Sequence, residues 1–185
     1  MRPVFLIGFM GSGKSTLGHA LAKATGLRFI DLDTYIESRC NATVREVFAT
    51  CGENGFRDIE RRLLHEVSRM QDTIVACGGG TPCFFDNMDT MNASGLTVYL
   101  QASHRKLHSR LLESRDKRPL ISAMTDRQLL DYITATLDSR AAHYIKAGAT
   151  FCADRLDDRR QIDESVKRFI NQFMPEFTDT INKNK

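Results

Sequence analysis

Short runs of apolar residues alternate along the chain with segments whose apolar residues recur every three or four positions. Five of these runs, mostly bounded by glycine, predict buried β-strands at residues 4–7, 27–32, 73–77, 96–100 and 150–152. The regular alternation of strand and helix indicates an α/β protein, with a parallel sheet covered by helices on both faces.

The helical segments between these strands differ in how clearly their pattern defines them. Apolar residues keep helical spacing from Lys14 to Gly26, and a glycine at that point is suited to end a helix. Residues 33–70 are mostly helical in pattern, with a break near Gly52 and Gly55. The clearest apolar stripes consist of Leu130, Ile133, Leu137 and Ala141 within residues 126–145, and of Ile162, Val166, Phe169, Ile170 and Phe173 within residues 160–173.

Residues 113–128 lack this periodicity. They are polar and charged and include Pro119, so we expect a mobile lid over about this range. Residues 175–185 have the composition of a frayed tail. The remaining chain shows no repeat and no linker, and 185 residues is close to the length of one domain. Residues 1–174 are therefore predicted to form a single domain.

The charge balance favours small anionic ligands. The net charge of +3, from 26 Lys plus Arg against 23 Asp plus Glu, is too weak for a typical nucleic-acid binder. Eighteen of the basic residues are arginine, whose planar fork suits carboxylates and phosphates. No apolar run reaches the roughly 18 residues of a membrane span, and the five cysteines lack CxxC spacing. We expect a cytoplasmic protein without nucleic-acid or membrane partners.

The strongest chemical signal is the segment GFMGSGKS at residues 8–15, between the first strand and the first helix. It fits the G-x-x-x-x-G-K-[ST] pattern, in which backbone N–H groups and a helix N-terminus surround the phosphates of a nucleotide. The lysine can bridge the β- and γ-phosphates of ATP, and the final serine can place its hydroxyl on Mg²⁺. The predicted nucleotide contacts are Gly11, Ser12, Gly13, Lys14, Ser15 and Thr16. The sequence has no guanine-specifying NKxD motif, and its length fits a small kinase.

Two aspartates follow the second predicted strand, in Asp31-Leu32-Asp33. Residues i and i+2 of a strand point to one side, so both carboxylates can face a site at the carboxyl edge of the sheet. One of them can hold Mg²⁺, and the other can orient an acceptor hydroxyl. Alternatively, Asp33 caps a helix that begins near Thr34, although capping would explain only one of the two aspartates.

Taken together, the motifs resemble those of the shikimate kinases. The matching elements are GFMGSGKS, DLD at 31–33, ENGFR at 53–57, GGG at 78–80, RPL at 118–120 and R-x-x-x-Y at 140–144. They occur in the family's order and span residues 4 to about 153. The resemblance implies a P-loop NTPase fold with three α/β/α layers, strand order 2-3-1-4-5, and a monomer.

The resemblance also implies an acceptor site. Arg57 and Arg140 would bind the carboxylate of shikimate, and Asp33 would contact its ring hydroxyls, including the one that is phosphorylated. Bare backbone at Gly79 and Gly80 would let the turn approach the ring closely. The structural alternatives are a salt bridge of Arg57 with a nearby acid such as Asp58 or Glu60, a solvated Arg140, and a glycine segment that only ends a strand.

On the nucleotide side, the resemblance implies that Arg118 belongs to the lid and that Arg110 packs on adenine, while Ser15 and Asp31 hold Mg²⁺. The predicted catalytic residues are Lys14, Asp33 and Arg118. The expected reaction is transfer of the γ-phosphoryl group of ATP to the 3-hydroxyl of shikimate, a step toward chorismate and the aromatic amino acids. Two alternatives remain: a kinase of another small hydroxy acid such as gluconate, and a module that binds ATP as a switch without catalysis.

Overall fold

The computed structural model describes residues 1–118 and 120–178. Within them, five parallel strands form one sheet in the order β2-β3-β1-β4-β5, which confirms the expected topology. The strands are β1 (Val4–Ile7), β2 (Arg28–Asp31), β3 (Thr73–Ala76), β4 (Leu96–Gln101) and β5 (Ala149–Cys152). Every residue of β1 and β3 is buried, as expected for central strands with helices on both faces.

Seven α-helices connect and cover these strands in the described residues. They are α1 (Lys14–Thr25), α2 (Leu32–Cys40), α3 (Val44–Val67), α4 (Asn87–Ser94), α5 (His104–Glu113), α6 (Asp126–Tyr144) and α7 (Arg159–Phe173). Helices α1 and α7 pack against each other, as do α5 and α6. None of the helices in this part of the chain is long and apolar enough to cross a membrane.

Local chemistry explains where the helices begin and end. Thr43 and Thr125 form capping boxes that start α3 and α6. Gly26 ends α1 in the left-handed conformation, at the position that the sequence predicts. The predicted break in the long helical segment is also present, because Gly52 takes a non-helical backbone conformation inside α3 with φ 68°.

Two local expectations are wrong. The second strand ends at Asp31 and does not continue through residue 32, because Asp31 caps α2 by accepting a hydrogen bond from the Asp33 backbone N–H. In α6 the buried stripe contains Leu129, whereas Leu130 is 42% exposed. Ile133 and Leu137 of the predicted stripe are buried, whereas Ala141 is exposed like Leu130.

The predicted lid region, residues 113–128, has local structure on both sides of Pro119, which lies outside the described residues. Arg115–Lys117 form a 3₁₀ turn, and the Arg115 side chain contacts the Met124 carbonyl and Asp126. Ile121 is fully buried. The tail predicted at 175–185 begins with a 3₁₀ turn at Pro175–Phe177, and residues 179–185 lie outside the described range.

Candidate active site

The glycine-rich loop connects β1 to α1 with a curled backbone. Gly8, Gly11 and Gly13 have φ values of 142°, 78° and 94°, a region that residues with a Cβ rarely adopt. Gly13 is the N-cap of α1 and supplies no side-chain cap, so the first N–H groups of the helix face the loop unpaired by a side chain. This arrangement is typical of a phosphate-binding site.

Lys14 curls back over the same loop. Its Nζ donates hydrogen bonds to the carbonyl oxygens of Gly8 at 2.8 Å and Phe9 at 2.9 Å. Burial lowers the pKa of Lys14 to about 8, and the negative charge of Asp33 only partly offsets that effect. The ammonium group of Lys14 is therefore poorly solvated, and an anion bound in the loop would stabilise its charged form.

The two aspartates reach the cavity from the junction between β2 and α2. Ser15 Oγ donates a hydrogen bond to Asp31 Oδ2 at 2.7 Å, which joins the end of the loop to the end of β2. Asp33 lies in the first turn of α2 and is open to solvent. Surrounding protein nevertheless raises the pKa of Asp33 to about 6 through desolvation, with further contributions from the charges of Asp31 and Glu60. Both aspartates therefore face one site, as the sequence predicts. Asp31 reaches it from the end of β2 and Asp33 from the first turn of α2, so the alternation of side chains along a strand is not the reason.

The glycine turn after β3 lies beside the aspartates. A β-carbon added at Gly78 would lie 3.1 Å from Asp33 Oδ1 and 3.3 Å from Glu60 Oε1. At Gly79 it would lie 3.2 Å from Arg140 Nη1 and 3.5 Å from the Gly8 carbonyl oxygen. The turn therefore separates the phosphate loop from the two predicted carboxylate-binding arginines, and its bare backbone makes the close approach possible.

Arg57 lies against the last glycine of this turn. Its Nη2 would be 2.9 Å from a β-carbon at Gly80, and its guanidinium carbon lies 4.0 Å from the centre of the Phe84 ring. Nη1 donates to the buried Glu60 at 2.8 Å, so the salt bridge considered as an alternative is present. Among the described residues, the buried Nε atom of Arg57 has no hydrogen-bond partner. A second ion pair joins Nη2 to Glu53 Oε1 at 3.3 Å, so acidic residues of α3 hold both ends of the guanidinium fork.

Several of the predicted residues line one cavity of about 510 Å³ at the carboxyl edge of the sheet. The predicted residues that line it are Gly11, Gly13, Lys14, Ser15, Thr16, Asp31, Asp33, Gly79, Arg110 and Arg118. Ser12 is buried within the loop, and Gly80, Arg57 and Arg140 lie behind the glycine turn.

Arg110 and Arg118 enter this cavity from the side of α5. Arg110 forms an ion pair with Asp157 at 2.7 Å and donates to the carbonyl oxygens of Ala153 and Asp154. Its guanidinium is thus fixed to the segment that follows β5. Arg118 Nε donates to Ser114 Oγ at 3.2 Å, and both residues line the cavity.

Three supporting residues were not assigned a role from the sequence. Glu60 joins Arg57 to Thr81, whose hydroxyl donates to Glu60 Oε1 at 2.6 Å. Asp157 pairs with Arg110, and Tyr144 donates a hydrogen bond to the Gly79 carbonyl oxygen at 2.6 Å. The R-x-x-x-Y spacing contained a signal for Tyr144. The ion pair of Asp157 with Arg110 joins residues 47 positions apart in the sequence. Glu60 is one of several acids near Arg57, so the sequence alone did not single it out.

Known proteins share both the sequence and the fold. A family model described as shikimate kinase matches residues 10–173. Shikimate kinase of Bacteroides fragilis is 47% identical over 165 residues, which are 89% of this chain and 92% of that protein. The crystal structure of shikimate kinase from Bacteroides thetaiotaomicron has a TM-score of 0.90 at 44% identity, covering 92% of this chain and 97% of that chain. Shikimate kinase from Acinetobacter baumannii, solved in complex with shikimate, has a TM-score of 0.78 at 28% identity and covers 95% of each chain.

Proposed function

This chain belongs to the shikimate kinase family, and we propose that the cavity at the carboxyl edge of its sheet is where ATP and shikimate meet. The reaction of the family is ATP-dependent phosphorylation of shikimate. One observation carries the assignment of the site: the phosphate loop, both aspartates and the glycine turn line the same cavity. The expectation of a gluconate kinase or a non-catalytic switch module is not supported, because the family match and the relatives name shikimate kinase.

The phosphate loop would bind the triphosphate of ATP. Backbone N–H groups of Gly11 and Gly13 and the N-terminus of α1 would supply donors, and Lys14 adds a cation. The Ser12 N–H donates to the Phe9 carbonyl oxygen at 3.1 Å and thereby holds the curl of the loop. Lys14 would exchange its bonds to loop carbonyls for phosphate oxygens, which raises its pKa because a negative charge replaces neutral dipoles. Thr16 lines the same cavity one residue further along α1. Arg110 would border the adenine side.

Ser15 and Asp31 fit Mg²⁺. Their two oxygen atoms are 2.7 Å apart at the edge of the phosphate loop. No cluster of three or more metal-binding side chains occurs in the described part of the chain, and Mg²⁺ suits a site with few protein ligands because it retains water and binds phosphate oxygens. When bound with ATP, Mg²⁺ would neutralise charge on the phosphates.

The acceptor would bind on the other side of the glycine turn. Arg57 and Arg140 flank Gly80 and Gly79 and would bind the carboxylate of shikimate through charge-assisted hydrogen bonds. Asp33, next to Gly78, would orient the ring hydroxyls. The relative solved with shikimate shows that this fold accommodates the acceptor in that protein.

In the chemical step, the 3-hydroxyl oxygen of shikimate bonds to the γ-phosphorus while the bond from that phosphorus to the β,γ-bridging oxygen breaks and ADP leaves. Asp33 would align the hydroxyl and accept its proton, since a carboxylate with a pKa near 6 is a stronger base than an ordinary aspartate. Lys14 and Arg118 would stabilise the charge on the transferred group. Residues 113–128 would act as a lid that excludes water, because Arg118 reaches the cavity from this segment.

A coupled assay of ADP release tests this proposal. We expect ATP turnover that depends on shikimate and is not supported by gluconate. Lys14→Met, which keeps a side chain of similar length, should remove nearly all turnover without unfolding the protein. ADP release that is independent of shikimate, or a Lys14→Met variant within a few-fold of the unchanged protein, would refute the assignment.

A further inference from the structure

Tyr144 carries a buried hydroxyl group that has no part in the proposed reaction. It is the last residue of α6, and its side chain is fully buried. Its ring stacks on Tyr99 of β4, with ring centres 5.0 Å apart and an interplanar angle of 26°. A phenylalanine would fill the same space, so packing explains the ring but not the hydroxyl.

The hydroxyl has a specific backbone partner. It donates a hydrogen bond of 2.6 Å to the carbonyl oxygen of Gly79, 65 positions away in the chain. Gly79 is the residue whose missing β-carbon leaves room for Arg140 on one side and for the Gly8 carbonyl of the phosphate loop on another. Fixing this one carbonyl therefore fixes the backbone between the two substrate subsites.

Arg140 lies beside the backbone that this hydroxyl holds. Arg140 and Tyr144 are four residues apart on α6 and lie on one helix face. Arg140 Nη1 would lie 3.2 Å from a β-carbon at Gly79, the residue whose carbonyl oxygen accepts the Tyr144 hydrogen bond. Burial raises the pKa of Tyr144 to about 12, while the charge of Arg140 acts in the opposite direction. The hydroxyl thus holds the glycine turn next to an arginine that the proposed function assigns to the carboxylate of shikimate.

We propose that Tyr144 is a positioning residue for shikimate, whose hydroxyl fixes the Gly79 backbone against which the Arg140 guanidinium lies. The proposal rests on the proposed role of Arg140 in binding the carboxylate. A long, half-buried arginine at the end of a helix loses rotamer freedom when it binds a ligand. A rigid, stacked tyrosine limits that freedom in advance, so the guanidinium faces the acceptor subsite before shikimate arrives.

The test compares Tyr144→Phe with Tyr99→Phe, which removes the hydroxyl of the other ring in the same stack. We measure kcat, KM for shikimate, KM for ATP and the melting temperature of each variant. For Tyr144→Phe we expect KM for shikimate to rise roughly three- to tenfold, the effect of one hydrogen bond. KM for ATP should stay within about twofold, on the same energy scale. Tyr99→Phe should leave both KM values unchanged.

A double variant shows whether Tyr144 acts through Arg140. If it does, Tyr144→Phe should raise KM for shikimate much less in an Arg140→Ala background than in the unchanged protein. Equal increases in both backgrounds would overturn the proposal, as would an unchanged KM for shikimate in Tyr144→Phe when Arg140→Ala raises it. If Arg140→Ala itself leaves that KM unchanged, the carboxylate site of the proposed function fails first, and the role of Tyr144 fails with it.

Discussion

Two residues of this cavity, Asp33 and Lys14, have pKa values shifted toward neutral pH, the first upward and the second downward. Desolvation raises the pKa of Asp33 to about 6 and lowers the pKa of Lys14 to about 8. Both shifts arise chiefly from desolvation by the surrounding protein, which disfavours whichever form is charged. The result is a carboxylate able to accept a proton and a cation that an anionic ligand stabilises strongly.

The shift of Asp33 predicts an acid limb in the pH profile. A group with a raised pKa picks up its proton at a higher pH than usual, so the basic form that accepts the hydroxyl proton is lost as the pH falls through about 6. We expect kcat/KM for shikimate to decline below that pH. Asp33→Asn should lower kcat by about 10²- to 10⁴-fold, the usual contribution of a general base.

The control for this prediction is Asp131→Asn, on the exposed surface of α6. It should keep both the rate and the acid limb of the unchanged protein. A profile that stays flat down to pH 4.5, or an Asp33→Asn variant with ordinary kcat, would remove Asp33 from the chemistry.

At the scale of elements, the turn after β3 determines where both proposed carboxylate ligands lie. Ion pairs hold Arg57 to Glu60 at 2.8 Å and to Glu53 at 3.3 Å. The Phe84 ring at 4.0 Å and the bare backbone of Gly80 lie against the same guanidinium. The turn, α3 and the segment after the turn therefore act as one unit, and a change in any one of them moves the guanidinium.

Gly80→Ala tests this arrangement by adding a single carbon atom next to Arg57. Gly80 has φ −91° and ψ −20°, which alanine adopts without strain, so the only new feature is a β-carbon 2.9 Å from Arg57 Nη2. We expect KM for shikimate to rise roughly ten- to a hundredfold through displacement of Arg57, with little change in KM for ATP.

Gly148→Ala is the matched control. The nearest atom to a β-carbon there is a backbone oxygen at 3.6 Å, an ordinary contact distance. This variant should keep the kinetic constants of the unchanged protein. Steady-state kinetics with each substrate varied in turn decides the matter, and equal KM for shikimate in both variants would contradict the proposed position of Arg57.

At the scale of the whole molecule, the proposed nucleotide and acceptor subsites lie on the two sides of one glycine turn. A ligand that binds only the folded state stabilises it by RT ln(1 + [L]/Kd). We expect either substrate at about 100 times its Kd to raise the melting temperature by roughly 5 to 10 °C.

Arg57→Ala should separate the two halves in a thermal-shift measurement. It should abolish the stabilisation by shikimate at the same concentration and keep the stabilisation by ATP, because Arg57 lies against Gly80, on the side of the turn that we propose for the acceptor. Loss of both shifts would mean that Arg57 supports the fold in general. Retention of both would show that shikimate binds elsewhere.

The sequence by itself determined the elements and the local chemistry of the site. Strand and helix positions, the glycine conformations of the phosphate loop and the end of α1 at Gly26 depend on periodicity and turn geometry within a few residues. The family motifs then supplied the strand order. Where local patterns competed, as between a longer second strand and the cap formed by Asp31, the sequence alone chose wrongly.

Only the tertiary structure decided how these residues are oriented. The contacts from Glu60 to Thr81 and from Tyr144 to Gly79 join positions 21 and 65 residues apart, and the ion pair of Arg110 spans 47. No short-range pattern encodes such partners, because each depends on where the packing of helices against the sheet brings distant side chains together. The sequence identified the charged groups of the site, and the packing of the chain set their directions and their pKa values.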